Sequence, residues 1–174
     1  MGPATTCPSR KLDFCKLNEK CYALKAERLY PYVLPYRIRQ SKYWKKTSAK
    51  QIIEDFRNLL PRIRHEVKYL RFNESGDFYN QKDVLKLDRI AKFLKTKGIT
   101  TYGYTARNDL NFKNVNFLIK GSDHNAGNNG KTIVVPKKEI KERLPPGWKV
   151  CPMSCKVCHI CKEKSGINII FPLH

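Results

Sequence analysis

The sequence predicts an α/β domain on a mostly parallel sheet, either open or curled into a small partial (β/α) barrel. Three observations predict it. Short β-branched and aromatic runs alternate with amphipathic helices from about residue 47 to residue 135. A chain of 174 residues, 41% of them hydrophobic, suits one domain with a real core. The seven cysteines fall in two clumps, Cys7, Cys15 and Cys21 near the start and Cys151, Cys155, Cys158 and Cys161 near the end. Sulfurs crowded this way suit a metal, so both Cys-rich segments are expected to be joined at a metal site. The single domain then divides into a Cys-rich segment 1–23, an α/β core 24–150 and a Cys-rich segment 151–174.

Taken in order, residues 24–43 are aromatic and basic, with Tyr30, Tyr32, Tyr36, Tyr43 and Trp44 among Arg28, Arg37, Arg39, Lys42, Lys45 and Lys46. Pro31 and Pro35 are expected to interrupt any single helix there. Such aromatics either stack bases while the cations hold phosphates, or pack into the core behind a solvated rim; the second is favoured. Thr47 or Ser48 caps a helix carrying Ile52, Ile53, Phe56, Leu59 and Leu60, and Pro61 kinks or ends it. Val67 to Phe72 reads as a strand, followed by the polar turn Asn73-Glu74-Ser75-Gly76-Asp77. Residues 82–97 form the clearest helix, with Val84, Leu85, Leu87, Ile90, Ala91, Phe93 and Leu94 on its apolar side and Gly98 as its stop. Ile99–Tyr104, Val115–Ile119 and Thr132–Val135 read as strands, and 121–130 as a mobile loop.

The C-terminal clump reads Cys-Pro-Met-Ser-Cys-Lys-Val-Cys-His-Ile-Cys. Structural zinc takes four Cys or His ligands, and these sulfurs with His159 satisfy that count. Contiguous cysteines two and three residues apart are commoner at four-iron clusters, where each iron accepts one thiolate. Both metals stay open, as do one cluster or two and the sharing of Cys7, Cys15 and Cys21 between them. Cys151-x-x-x-Cys155-x-x-Cys158 also has the spacing of the cluster motif of radical S-adenosylmethionine enzymes, where one iron is left for the cofactor.

Lys and Arg number 35 against 15 Asp and Glu, a net charge of +20. A field of this size favours polyanionic partners, nucleic acid first. No apolar run approaches the length of a spanning helix, and no signal peptide is visible. With an odd number of thiols, a reducing cytoplasm is the expected location, the host's if the protein is viral, and no membrane partner is expected.

In α/β folds, ligands gather at the carboxyl ends of the strands. Glu74, Ser75, Gly76 and Asp77 stand there after one predicted strand, and Thr105, Arg107 and Asn108 after the next. Lys120 to His124 follow the third. Asp77 and Glu74 are candidate catalytic carboxylates, although turn formation accounts for Asp77 equally well. Arg107 suits a phosphate or carboxylate. His159 is a candidate ligand or neighbour of one, while His65, His124 and His174 read as loop or surface groups. No Ser-His-Asp set, phosphate-binding Gly-Lys-Ser/Thr loop or His-Glu-x-x-His is present.

The series ending in Cys21-Tyr22-Ala23, then Arg71-Phe72-Asn73-Glu74-Ser75-Gly76-Asp77-Phe78, Tyr102-Gly103-Tyr104-Thr105, the terminal Cys run and the closing residues 169–174 resemble the phage "gene product 88" domain family of small viral and mobile-element proteins. The resemblance implies a compact α/β domain similar to a truncated radical-enzyme barrel, with iron–sulfur ligands at both ends. It implies Cys7, Cys15 and Cys21 as cluster ligands and Gly76-Asp77 lining the site. From their place at the strand ends, Ser75, Gly76, Thr105 and Arg107 are the candidate cofactor-binding residues, for S-adenosylmethionine if the protein is of the radical-enzyme type. Two functions follow. One is a radical-enzyme-like iron–sulfur protein acting on or binding nucleic acid. The other is a non-catalytic basic nucleic-acid-binding module with a structural iron–sulfur or zinc site.

Overall fold

A computed structural model describes residues 1–126, 130–155, 157–163 and 166–173. The chain begins with a 3₁₀ turn at Ala4–Thr6, the short helix α1 (Pro8–Lys11) and a second turn at Asn18–Lys20. Three helices follow, α2 (Tyr22–Leu29), α3 (Val33–Lys46) and α4 (Ala49–Leu59). Pro31 separates α2 from α3, as expected. Pro35 does not interrupt α3, because it lies in the first turn, where a missing N–H has no intrahelical acceptor to lose. Ser48 caps α4 by accepting from the Gln51 amide at 3.1 Å.

The sheet then forms from β1 (Tyr69–Arg71), β2 (Thr100–Thr105), β3 (Leu118–Ser122), β4 (Lys131–Pro136), β5 (Lys149–Val150) and β6 (Ile169–Leu173). All six strands are parallel, in the order β1-β2-β3-β4-β6-β5. Four strands taken in sequence order without reversal put their connections on one side, which is how barrels grow. The sheet curls into a half-barrel. Tyr104 of β2 and Phe171 of β6 are three strands apart, roughly 14 Å in a flat sheet, yet their ring centroids lie 5.6 Å apart.

The connections differ from the predicted alternation. One helix, α5 (Gln81–Thr96), crosses between β1 and β2, held at its start by Asn80 accepting from the Asp83 amide. β2 reaches β3 through irregular chain. β3 reaches β4 across residues 123–130, because Lys131 starts beside Gly121 and the chain has little distance to recover. Within the expected mobile loop, Gly121 and Ser122 belong to β3, and residues 127–129 lie outside the described residues. Between β4 and β6 come the short helix α6 (Ile140–Arg143), β5 and, after the cysteines, α7 (Ile160–Glu163).

Alternation along the strands sorts the two faces. Val84, Leu87, Ile90, Ala91 and Leu94 of α5 are buried with Ile52, Phe78, Ile99, Phe117 and Ile119 in one core on the convex side. Leu85, expected on that apolar side, is 56% exposed. The opposite face carries Tyr69, Arg71, Tyr102, Tyr104 and Phe171, and α7 packs over it. Trp44 is buried as expected; its indole donates to Asp83 at 2.8 Å, and Lys86 binds the carbonyls of Trp44 and Thr47 at the end of α3. Tyr30, Tyr32, Tyr36 and Tyr43 are exposed, contrary to the expectation of core packing. The buried stripe of α3 is Arg37, Ser41 and Trp44, which leaves the tyrosines facing outward. No helix among the described residues is long and apolar enough to cross a membrane.

Candidate functional site

The carboxyl rim of β1 and β2 is built by the turn Asn73–Asp77. Asn73 and Gly76 both take positive φ, 45° and 69°. A Cβ on Gly76 would meet the Gly2 carbonyl oxygen at 2.7 Å, so only glycine lets the chain's first residues lie against the turn. The Met1 amine donates to the Ser75 carbonyl at 3.0 Å, and the Gly2 amide approaches the same oxygen at 3.4 Å. Asp77 is buried and accepts four hydrogen bonds, from Ser9 Oγ (2.6 Å), Thr105 Oγ1 (2.8 Å), the Ala106 amide (2.8 Å) and the Phe78 amide (2.8 Å). Burial pushes its carboxyl above the usual range, against the pull of those donors. The carboxylate thus ties the N-terminal segment to the ends of both strands.

The other expected rim residues join the same web. Arg107 is buried, pairs bidentately with Asp109 (2.7 Å each) and donates to the carbonyls of Phe78 and Tyr79 at 2.6 and 3.0 Å. Thr105 Oγ1 also accepts from the Arg107 amide at 3.0 Å. Ser75 Oγ lies 3.4 Å from Glu27. Glu74 has a half-exposed side chain that receives Arg37 Nη2 at 2.7 Å.

Glu27 and Arg37 form a second buried polar centre beside the rim. Glu27, on α2, accepts the amides of Ala4 (2.6 Å) and Thr5 (3.0 Å) and Arg37 Nη1 (2.9 Å). Burial opposes its charge, but those three donors outweigh it and hold the carboxyl below the usual range. Arg37 also donates to the Ala23 carbonyl at 2.8 Å. Both residues sit in helices whose local pattern is ordinary, so no sequence signal marked the pair.

The two cysteine clumps occupy different ground. Cys7 is buried near Asp77, its thiol pushed up to about 11 by that burial, and Cys15 and Cys21 are half-buried. Cys151, Cys155, Cys158 and Cys161 line one small cavity of about 30 Å³ on the concave face, with Arg71, Tyr102, Tyr104 and Lys162. Arg71 rests 5.1 Å from the Tyr104 ring, and Lys162 Nζ lies 5.1 Å from the Tyr69 ring while donating to the Cys155 carbonyl at 2.9 Å. The His159 ring stacks on Tyr69 at 5.5 Å, and its buried Nδ1 has no hydrogen-bond partner. Burial raises the Cys151 thiol and the phenols of Tyr102 and Tyr104.

Four sulfurs with Arg71 and Lys162 beside them line this one cavity, side chains of the type that thiophilic metals take, and His159 is not part of that lining. Among the described residues, no three Cys, His, Asp or Glu side chains converge closely enough to hold an ion, and the expected joining of both clumps at one metal is not seen. His124 Nδ1 lies 2.9 Å from the Ser122 carbonyl, His65 is exposed, and His174 lies outside the described residues.

A family model for gene product 88 matches residues 1–126, that is 126 of the chain's 174 residues. The chain belongs to the gene product 88 family, a phage protein family. The gene product 88 match contains Cys7, Cys15, Cys21, the turn Asn73–Asp77, Thr105 and Arg107. It stops before Cys151 to Cys161 and residues 169–174, so the family match does not extend to the terminal part of the resemblance. No match is found among curated proteins or among solved structures.

Proposed function

We propose that this member of the gene product 88 family binds nucleic acid, with a metal held by Cys151, Cys155, Cys158 and Cys161 as a structural centre. The observation that carries the reading is the outward face of α3. Tyr32, Tyr36 and Tyr43 are exposed beside Arg39, Lys42, Lys45 and Lys46, and the helix holds no Asp or Glu. Exposed aromatics among the cations of a helix that carries no acid of its own offer stacking faces and phosphate partners together. The metal, as iron–sulfur cluster or zinc, would supply folding free energy where a short segment covers the concave face.

A second reading, a radical-enzyme-like protein using S-adenosylmethionine, is favoured by one placement. The cysteine cavity lies on the concave face of a half-barrel, and its lining residue Tyr104 is followed directly by Thr105 at the carboxyl end of β2. Here Glu74 is the rim carboxylate with solvent access, while Asp77 and Arg107 hold the rim in shape.

Binding to single- and double-stranded DNA and RNA, followed by fluorescence anisotropy across a salt series, tests the first reading. The expected result is a linear fall of log Kobs with log salt; binding that is absent or independent of salt overturns it. Anaerobic loading with iron and sulfide or with zinc, followed by metal analysis and visible absorption, identifies the centre. A perturbed cluster spectrum on adding S-adenosylmethionine favours the second reading.

A further inference from the structure

We infer that a groove between α3, α4 and β1 receives an unpaired base of single-stranded nucleic acid, a site that deepens and rests on the nucleic-acid reading above. The groove encloses about 570 Å³ and is lined by Trp44, Phe56, Leu59 and Phe72, with Arg39 and Tyr43 exposed beside them. Sites for small organic groups occupy roughly 300–1,000 Å³ and are mostly apolar with a few placed polar groups.

The helix leads into this groove. Tyr32, just before α3, and Tyr36, Arg39 and Tyr43 within it stand at i, i+4, i+7 and i+11, one stripe of a helical surface. From Tyr32 to Tyr43 the stripe rises roughly 16 Å. Its outer end is open aromatic surface, with Tyr32 85% exposed, and its inner end is the groove. Tyr43 donates to Asp55 of α4, which fixes the ring across the two helices. Gln40 donates to the Tyr36 hydroxyl at 2.7 Å and holds the next ring on the stripe.

Charge complementarity selects the occupant. Arg39 and Arg71 line the groove, and exposed Lys42 and Lys46 follow Arg39 and Tyr43 by three residues on α3. The two carboxylates of the lining, Asp55 and Glu74, are engaged by Tyr43 and Arg37, so the cations and the apolar floor suit a chain with anionic links and flat apolar groups. A duplex presents phosphates and base edges but keeps its base faces stacked, so it reaches the cations and leaves the groove unfilled. A single strand satisfies both.

The experiment uses the full chain with Trp148→Phe, which leaves Trp44, in the groove, as the remaining tryptophan of two. A short oligodeoxythymidylate is expected to quench Trp44 emission, and a duplex of equal length is not. Phe56→Ala and, because Phe56 touches the core, separately Tyr43→Leu are each expected to weaken single-strand binding about tenfold, leaving duplex binding unchanged. Abasic residues in the oligonucleotide are expected to reproduce that loss. Single-strand binding that leaves Trp44 unquenched and ignores both substitutions overturns the groove while the nucleic-acid reading stands. Loss of all salt-dependent binding overturns both, and quenching by polyglutamate alone assigns the groove to an acidic polypeptide instead.

Discussion

Arg71 donates to the Tyr22 hydroxyl at 3.2 Å, and through that bond one guanidinium touches both cysteine-bearing ends of the chain. Tyr22 follows Cys21 and donates in turn to the Glu74 carbonyl at 2.6 Å. Arg71 lines the cavity of Cys151, Cys155, Cys158 and Cys161. Tyr22→Phe should therefore loosen the N-terminal segment from the rim, at roughly 1 kcal/mol. In metal-free protein the variant should expose Cys21 to a thiol reagent faster, with Cys7 unaffected. Equal labelling of Cys21 in both proteins would show the bond to be slack.

Asp77 is the strongest single point in the rim. Asp77→Asn keeps the shape but replaces an acceptor with a donor facing Ser9, Thr105 and two amides. Urea unfolding should show a loss on the order of 3 kcal/mol, larger than for Thr105→Val. A variant of near-native stability would free Asp77 for a chemical role.

Acid should weaken the Glu27 network. Its folded carboxyl is held below the value in the unfolded chain, so the stabilisation is present above the unfolded value of 4.5. It is lost as pH falls from there through the lower folded value. The urea midpoint of the native protein should drop below that pH more steeply than that of Glu27→Gln. Parallel curves for the two proteins would contradict the assignment.

Gly76→Ala should be costly twice over, through a positive φ of 69° and a contact of 2.7 Å with the Gly2 carbonyl oxygen. The expected loss is roughly 1–3 kcal/mol, read from thermal unfolding. Gly98→Ala has the same sign of φ with nothing within 4 Å of the new Cβ, so it isolates the backbone part. The difference between the two measures the close approach.

Lys42 and Lys46 lie on the exposed, acid-free surface of α3. Replacing each with Ala should lower the salt slope of nucleic-acid binding by roughly one, at little cost in stability. An unchanged slope in the double variant would move the interface to another face of the molecule.

Local pattern carried much of the fold. The Ser48 cap, the 3.6-residue repeat of α5 and the alternation of β2 appear within a residue or two of their expected places, because each is decided by neighbours along the chain. β3 begins three residues later than expected, at Leu118, since its ladder with β2 rather than its apolar run sets the start. β6 was not read as a strand, because its pairing partners lie on β4 and β5. The tyrosines around α3 were misplaced for a related reason. Helical spacing says which residues share a face, and only packing says which face is covered.

Residue order alone establishes a basic α/β chain with two sets of thiols, since charge, periodicity and spacing are properties of neighbours. Folding decides which polar groups stay free. Ser9 and Thr105 reach Asp77 across 68 and 28 residues, Arg37 draws together Glu27 and Glu74, and the curl of the sheet gathers the last four cysteines beside Tyr102 and Tyr104. Hydrogen bonds act over about 3 Å in space, so no distance along the chain foretells which carboxylate they will consume.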